Sequence, residues 1–577
     1  MSGPAEAGLI AAVAAPLALA LLTVAGARLG PRLAVLTPVA ALPALAVALF
    51  VPAGTGIVLP GVLLGLDLRI DPVARVFLGF TALIWAAAGL YGRTYLAADA
   101  GRLRFDAFFL ATMAGNLGLI LAADVAGFYL FFSLMTLAAY GLVIHDGTPF
   151  ARRAGQAYIV LAVLGEACLL LGFMLAAAAA DGRAIAGLPA AVAASPARDL
   201  TLALLLAGFG IKAGMVPLHV WLPVAHPAAP TPASAALSGA IIKAGIFGLL
   251  RFLPLGEAGA EAWGAAIVAL GFFTACYGVL AGLPQHRPKT VLAYSSLSQM
   301  GLILAGIGSV LIDPAALPLA LAATALYATH HGLAKAGLFL GVGVLATAGR
   351  RAHRRLILAA LVVPALAIAG APLTSGALAK LALKDIATTG GAAWADAERL
   401  LSFASVGTTL LMARFLVVAW RAARPATAAA VPRAGLWLPW LTLVIAGFAA
   451  AWALFTELHD EPLTYAAAPG RLWTQSWPVL LGALLAGLAF LPSVRRALAP
   501  IAIPEGDVIA AAGPLGRMVV TGAGLAARRS PKPAVRPPRP GAVTRPAAAE
   551  ARLRRWPVTG MTLLLVAAAL LAALRFG

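Results

Sequence analysis

Blocks of about 20 apolar residues, parted by short clusters of charge, proline and glycine, follow one another along 577 residues. A helix needs about 20 residues to cross ~30 Å of hydrocarbon. Sixteen blocks meet that length: 6–28, 32–52, 72–92, 104–122, 124–144, 155–180, 198–217, 232–254, 263–283, 289–311, 316–347, 355–389 (interrupted), 398–422, 435–456, 472–492 and 557–575. Hydrophobic residues make up 62% of the chain and charged residues 11%, whereas soluble domains carry about 25% charged residues. That balance excludes a soluble enzyme, a secreted disulfide scaffold and a disordered chain. The expectation is an all-α polytopic membrane protein with about 16 transmembrane helices.

The loops carry an independent signal. Arg28 and Arg32 follow span one; Arg93, Arg102 and Arg104 follow span three; Arg152 and Arg153 follow span five. Arg287 and Lys289, then Arg350, Arg351, Arg354 and Arg355, then Arg421, Arg424 and Arg433 follow spans nine, eleven and thirteen. The intervening loops are acidic or mixed, with Asp67, Asp71, Glu257, Glu261, Asp313, Glu457, Asp460 and Glu461. The positive-inside rule then places the N-terminus outside and the odd-numbered loops in the cytoplasm. The alanine- and arginine-rich composition suggests a prokaryotic plasma (inner) membrane. The formal charge of +20 is topological, since no compact basic domain exists to hold nucleic acid. Residues 493–556, with twelve Arg/Lys against Glu505, Asp507 and Glu550, read as a basic, proline-rich cytoplasmic segment, either a solvated tether or a dock for a partner or anionic lipid. The first block lacks a basic n-region, so no cleavable signal is expected. Cys168 and Cys276 are too few for a cluster or a zinc ribbon.

Charge inside the spans is the functional signal. A charged side chain at the bilayer centre costs roughly 2.5–3.5 kcal/mol on insertion scales. Glu166, Lys212, Lys243, Lys335 and Lys380 fall in spans six, seven, eight, eleven and twelve. His219, His226, His330, His331, Tyr294, Ser298 and Gln299 lie near them. Tyr327, His331 and Lys335 are four residues apart and so share one helix face. The His330–His331 pair reads as packing or hydrogen bonding; metal ligation is disfavoured without carboxylates or thiols nearby. Pro217 follows Lys212, and Pro364, Gly370 and Pro372 precede Lys380. Irregular backbone at membrane depth is tolerated only inside protein or beside a hydrated cavity. Two interrupted spans five helices apart point to inverted five-helix repeats, over 104–254 and 263–422, around a midplane site. Residues 1–103 and 435–492 then supply additional spans, and 557–577 a final helix. A desolvated ammonium holds its proton less firmly than one in water, and an approaching carboxylate reverses this, so a movable lysine–glutamate pair is a proton switch.

Five stretches carry a resemblance: GIKAGMVPLHVWLPVAHPAAPTPASAALSGAIIKAGIFGLLRF, QHRPKTVLAYSSLSQMGLILAGIG, HHGLAKAGLFLGVG, GAPLTSGALAK and DVAGFYLFFSLMTLAAYGLV. Over about residues 70–420 the chain resembles the antiporter-like membrane subunits of respiratory complex I, of group 4 membrane-bound hydrogenases and of Mrp-type Na⁺/H⁺ antiporters. The resemblance implies a hydrated axis in which Lys212 is the seventh-helix lysine, Lys243 a relay, His331 and Lys335 the eleventh-helix pair, and Lys380 the exit-side lysine. Three departures stand out. Ser133 occupies the place of a fifth-helix glutamate, which hands its role to Glu166 or leaves this half unable to pump. Val224 replaces an aspartate, and QHRPKT keeps only Lys289 of an acidic–basic pair.

The resemblance implies a proton- or Na⁺-translocating subunit of a redox-driven translocase of the NADH:quinone oxidoreductase or hydrogenase type. No cofactor is expected in this chain; flavin, iron–sulfur clusters and quinone would belong to partner subunits. The alternatives are an Mrp-type cation/proton antiporter subunit, the membrane subunit of a two-component inorganic-carbon uptake system, or a degenerate subunit that anchors its neighbours.

Overall fold

A computed structural model describes residues 3–25, 30–62, 64–389, 396–423, 433–459, 462–489, 491–494 and 503–505. The span expected at 557–575 and almost all of 493–556 lie outside the described residues, as do Arg28, Arg424, Asp460 and Glu461. Helices dominate, and eleven of those described are long and apolar enough to cross a membrane.

The crossings begin with α1 (Pro4–Ala25) and continue as α2 (Leu42–Phe50), α3 (Pro72–Tyr95), α4 (Arg102–Leu121), α5 (Val125–Val143) and α6 (Pro149–Ala179). Next come the halves α7a (Arg198–Ala213) and α7b (Leu222–Ala228), then α8 (Thr231–Phe252), α9 (Glu261–Gly282), α10 (Pro288–Ile312) and α11 (Leu317–Thr347). The halves α12a (Arg351–Ala369) and α12b (Ser375–Thr389), with α13 (Ala397–Ala422), α14 (Ala434–His459) and α15 (Pro469–Leu488), complete the set. Caps explain several starts. Asp71 Oδ1 accepts from Ala74 N at 2.9 Å ahead of Pro72, Asp124 Oδ1 from Gly127 N at 2.8 Å, and Thr148 Oγ1 from Ala151 N at 3.1 Å ahead of Pro149. Each satisfies a backbone donor that the first helical turn leaves open.

Two expectations need correction. The second span is not one helix: Pro31, Pro38 and Pro43 break it into a turn at Gly30–Leu33, a 3₁₀ stretch at Ala34–Ala41 and then α2. Proline cannot donate to the helix ladder, and the tighter 3₁₀ geometry accommodates it. The all-α fold carries one short antiparallel hairpin, β1 (Gly56–Leu59) and β2 (Leu66–Arg69), among the described residues. That hairpin is tied to the α4–α5 turn by Asp67 N donating to Asp124 Oδ2 at 2.9 Å. Finally, Pro364 does not break span twelve. It lies buried inside α12a, and the interruption comes at Gly370, six residues later.

The segments 104–254 and 263–422 pair their helices alike: α4 lies along α5 and α6 along α7a, as α9 lies along α10 and α11 along α12a. The centre is the row α8, α10 and α11. In α8 and α10, 94% of the membrane-length window is buried, against 33% for α1 and α14 and 39% for α6 and α9. The outer helices therefore turn their apolar faces to lipid while the central row meets only protein. On the face opposite the hairpin, the short α3–α4 loop is stitched to the end of α5. Partial burial works to raise the Asp99 carboxyl, but Gly101 N–H, the His145 ring at 3.2 Å and Arg104 together hold it below its ordinary value.

In lipid, helix association depends on close van der Waals packing rather than on hydrophobic burial. α9 meets that demand with Gly264, Gly271 and Gly278, seven residues apart, laid against α10. A Cβ at Gly271 would stand 2.6 Å from Gly301 O and 2.7 Å from Ala305 N, and one at Gly301 would stand 2.4 Å from Gly271 O. These are backbone atoms and cannot rotate away. Gly271→Ala is expected to destabilise the protein by about 1–3 kcal/mol, the cost of overpacking. Gly470→Ala, which meets nothing within 4 Å, should leave the thermal midpoint in detergent unchanged.

Candidate functional site

The two interruptions are built alike. Gly214 ends α7a at φ 80° and Gly370 ends α12a at φ 86°, left-handed conformations that glycine adopts without penalty. Beyond them the chain runs irregularly through Pro217 and Pro372 before helix resumes at Leu222 and Ser375. α8 carries a third irregularity, a π turn at Leu237–Ile241.

Around these places five lysines are buried: Lys212, Lys243, Lys335, Lys380 and Lys384, each no more than 6% exposed. Four of them fall into three groups of polar contacts, and Lys384 lies one turn beyond Lys380. In the first, Lys212 Nζ donates to Thr136 Oγ1 of α5 at 2.7 Å, and Ser133 Oγ donates to Glu166 Oε2 of α6 at 2.5 Å. Glu166 and Lys212 interact electrostatically and line one cavity of ≈10 Å³ with Thr136, Tyr158 and Trp221. That is about the room for the centre of one water molecule. Lys212 Nζ also lies 5.2 Å and 5.7 Å from the centroids of Phe132 and Tyr158, faces that attract a cation. Ser133 therefore stands beside the carboxylate of the next helix.

The second group joins all three helices of the central row. Lys243 Nζ donates to Ser238 O in the π turn at 2.5 Å, and Ser238 Oγ pairs with Ser296 Oγ of α10 at 2.8 Å. Ser296 Oγ donates to Leu292 O at 3.0 Å, and the same carbonyl accepts from Lys335 Nζ at 3.0 Å. His331, one turn from Lys335, is fully buried, and neither ring nitrogen has a hydrogen-bond partner among the described residues. His226, on α7b, bonds Leu222 O through Nδ1 at 3.0 Å and has Nε2 unpartnered.

The third group crosses to α12b. Tyr327 OH donates to Gln299 Oε1 at 2.7 Å, and Gln299 Nε2 donates to Thr408 Oγ1 of α13 at 3.2 Å. Lys380 Nζ donates to Ala369 O, the last carbonyl of α12a, at 2.8 Å and to Ser405 Oγ at 3.0 Å. His330 pairs through Nδ1 with Ser375 Oγ at 2.8 Å.

The candidates thus gather in the central row and its two broken neighbours, with Ser133 and Glu166 on the adjoining α5 and α6, and Pro364 packed within α12a away from the break. Sequence reasoning did not single out Thr136, Ser238, Ser296, Lys384, Ser402, Ser405 or Thr408. For the last three the signal was their spacing of three along span thirteen, which places them on one helix face. The two loop departures have structural roles: Val224 packs against the core, and Lys289 Nζ donates to Ala229 O at 2.8 Å and Ser234 Oγ at 3.1 Å. A cation there complements the carbonyl end of α7b.

Because the Ser238 and Ser296 hydroxyls, among the described residues, bond only each other and backbone, their contribution is separable. Each →Ala change should cost about 0.5–1.5 kcal/mol. In a double-mutant cycle by thermal unfolding in detergent, the pair should show coupling of at least about 0.5 kcal/mol; strict additivity would mean the bridge is not formed.

Comparison with known proteins bears on this arrangement. The family model for the transmembrane region of NADH:quinone oxidoreductase and Mrp antiporter subunits matches residues 122–411. Hydrogenase-4 component B of Escherichia coli is 29% identical over 290 residues, 48% of this chain and 43% of that protein. NADH-quinone oxidoreductase subunit N of Desulforudis audaxviator is 31% identical over 343 residues, 55% of this chain and 65% of that protein. The structure of the Mrp complex from Dietzia sp. contains a chain that matches 98% of this one with a TM-score of 0.73 and 25% identity, over 63% of that chain. The chain spans about half the length of the curated relatives it matches. With the family match covering both broken helices and all three groups up to α13, the chain belongs to the NADH:quinone oxidoreductase/Mrp antiporter transmembrane family.

Proposed function

We propose that this chain is a proton-translocating membrane subunit of a larger redox-driven complex, and that protons move along the row of buried lysines. The observation that carries the reading is the chain of contacts from Lys243 through Ser238 and Ser296 to the carbonyl shared with Lys335. Buried cations are costly at membrane depth, and Lys212, Lys243, Lys335 and Lys380 buried in one bundle call for a use. Like charges in a shared desolvated site repel, so a proton loaded at Lys243 favours release from Lys335, and His331 lies beside both. Glu166 is the carboxylate that answers Lys212 in the first half, supplying the role that Ser133 cannot.

Redox drive is supported by the relatives named as a hydrogenase component and an NADH-quinone oxidoreductase subunit. Electron transfer would occur on partner subunits carrying flavin, iron–sulfur clusters or quinone. A second reading, cation/proton exchange without redox input, is favoured by the likeness to a chain of an Mrp complex. A pH change that requires Na⁺ and no electron donor would select it. On either reading the membrane is a prokaryotic plasma membrane with the N-terminus outside, as the loop charges indicate.

The test uses vesicles that contain the chain with its native partners. Lys212→Ala and Lys335→Ala should each lower ion movement at least tenfold while donor oxidation continues. Wild-type ion movement in both would contradict the assignment.

A further inference from the structure

Lys384 and the groove beside it have no part in the account so far. α12b and α13 run side by side, and three rungs join polar groups across or onto α13. Gln299 reaches Thr408, Lys380 reaches Ser405 at 3.0 Å, and Lys384 Nζ donates to Ser402 Oγ at 2.8 Å. Thr408, Ser405 and Ser402 step along one face of α13 at intervals of three residues, and Ser402 Oγ bonds Glu398 O one turn further on. Lys384 is one turn beyond Lys380 in the direction away from the break at Gly370. The ladder therefore climbs from the centre of the bundle towards the start of α13.

At its end the ladder meets open space. Glu398, Arg399, Ser402, Phe403, Thr474 and Trp477 line a groove of ≈360 Å³ between α13 and α15, room for several waters. Ser402 is the shared residue: its hydroxyl accepts from buried Lys384, and the residue also lines the groove. The other charges facing Lys384 are Glu398, Asp385 and Arg471, with Lys380 below it. Asp385 is held by Tyr465 OH at 3.1 Å and Arg471 Nη1 at 3.5 Å. The ammonium is thus directed at Ser402.

We infer that the translocation path opens through this groove on the membrane face where α1 begins, and that Lys384 is its last buried ionisable relay. The inference rests on the translocation reading and adds its outlet. A proton passes from Lys380 to Lys384 through hydroxyl and water oxygens and leaves along Ser402 into the water of the groove. No bond other than O–H and N–H is made or broken.

The experiment uses vesicles holding the chain in its native complex, with Cys168 and Cys276 replaced by serine. Ser402→Cys and Thr408→Cys are each exposed to the charged, membrane-impermeant thiol reagent MTSET. Ser402→Cys should react at least tenfold faster in right-side-out than in inside-out vesicles, and the modified protein should move ions at least fivefold more slowly. Thr408→Cys, deeper on the ladder, should react at least tenfold more slowly than Ser402→Cys. Lys384→Arg keeps the charge but cannot release a proton, so it should lose ion movement as fully as Lys384→Met; a purely structural cation would be rescued by arginine. Reaction of Ser402→Cys only with an apolar maleimide would mean the groove holds lipid, and reaction mainly from the inside-out side would reverse the direction. Either result, or wild-type transport in Lys384→Arg, overturns the inference. The labelling arm does not depend on transport. If Lys335→Ala stops ion movement while Ser402→Cys stays inert, the outlet alone fails; wild-type movement in Lys335→Ala removes the translocation reading itself.

Discussion

A lysine ammonium buried at membrane depth needs oxygen, and a regular helix has no carbonyl to spare. Much of the site's construction follows from that shortage. Lys380 takes Ala369 O, freed where α12a ends, and Lys243 takes Ser238 O, available in the π turn of α8. Lys335 shares Leu292 O with a serine hydroxyl, and Lys212 uses the hydroxyl of Thr136. The break at Gly370 and the π turn are therefore part of the solvation shell of the cations as well as features of shape. Backbone of this kind survives away from water only when enclosed by protein, which is why these elements sit in or against the almost wholly buried row of α8, α10 and α11.

Tight helix packing serves the same end. Glycines on α9 let α10 approach until backbone meets backbone, and α10 carries Leu292, Ser296 and Gln299, the groups that link α8, α11 and α13. A shift of α10 by an ångström would lengthen contacts to both Lys335 and Tyr327. Close packing on the outside of the bundle thus sets hydrogen-bond distances in its centre.

Much of this was legible in the sequence because burying charge in an apolar block is costly enough to be informative on its own. Glu166, Lys212, Lys243, Lys335 and Lys380 stood out against their surroundings. The hydroxyls did not, since a serine or threonine in a transmembrane helix ordinarily bonds its own helix backbone, as Ser296 and Ser405 also do here. Their service between helices depends on which face meets which neighbour, a tertiary fact. Pro364 misled for a related reason: the residue that breaks span twelve is a glycine six positions on, and the proline is absorbed within α12a. Ser133 was legible as a departure. That its hydroxyl would lie 2.5 Å from Glu166 follows from the packing of α5 on α6, which periodicity alone does not fix.

The central claim is that a carboxylate one helix along from Ser133 works with Lys212 to move protons through the first half. The direct measurement is ion movement in vesicles bearing Glu166→Gln, compared with the exchange variant Ser133→Glu/Glu166→Ser. The account predicts a loss of at least tenfold in Glu166→Gln and recovery of a third or more of wild-type movement when the carboxylate is placed on α5. Wild-type movement in Glu166→Gln would contradict it, and would leave Lys212 as a cation held only by Thr136 and two aromatic rings.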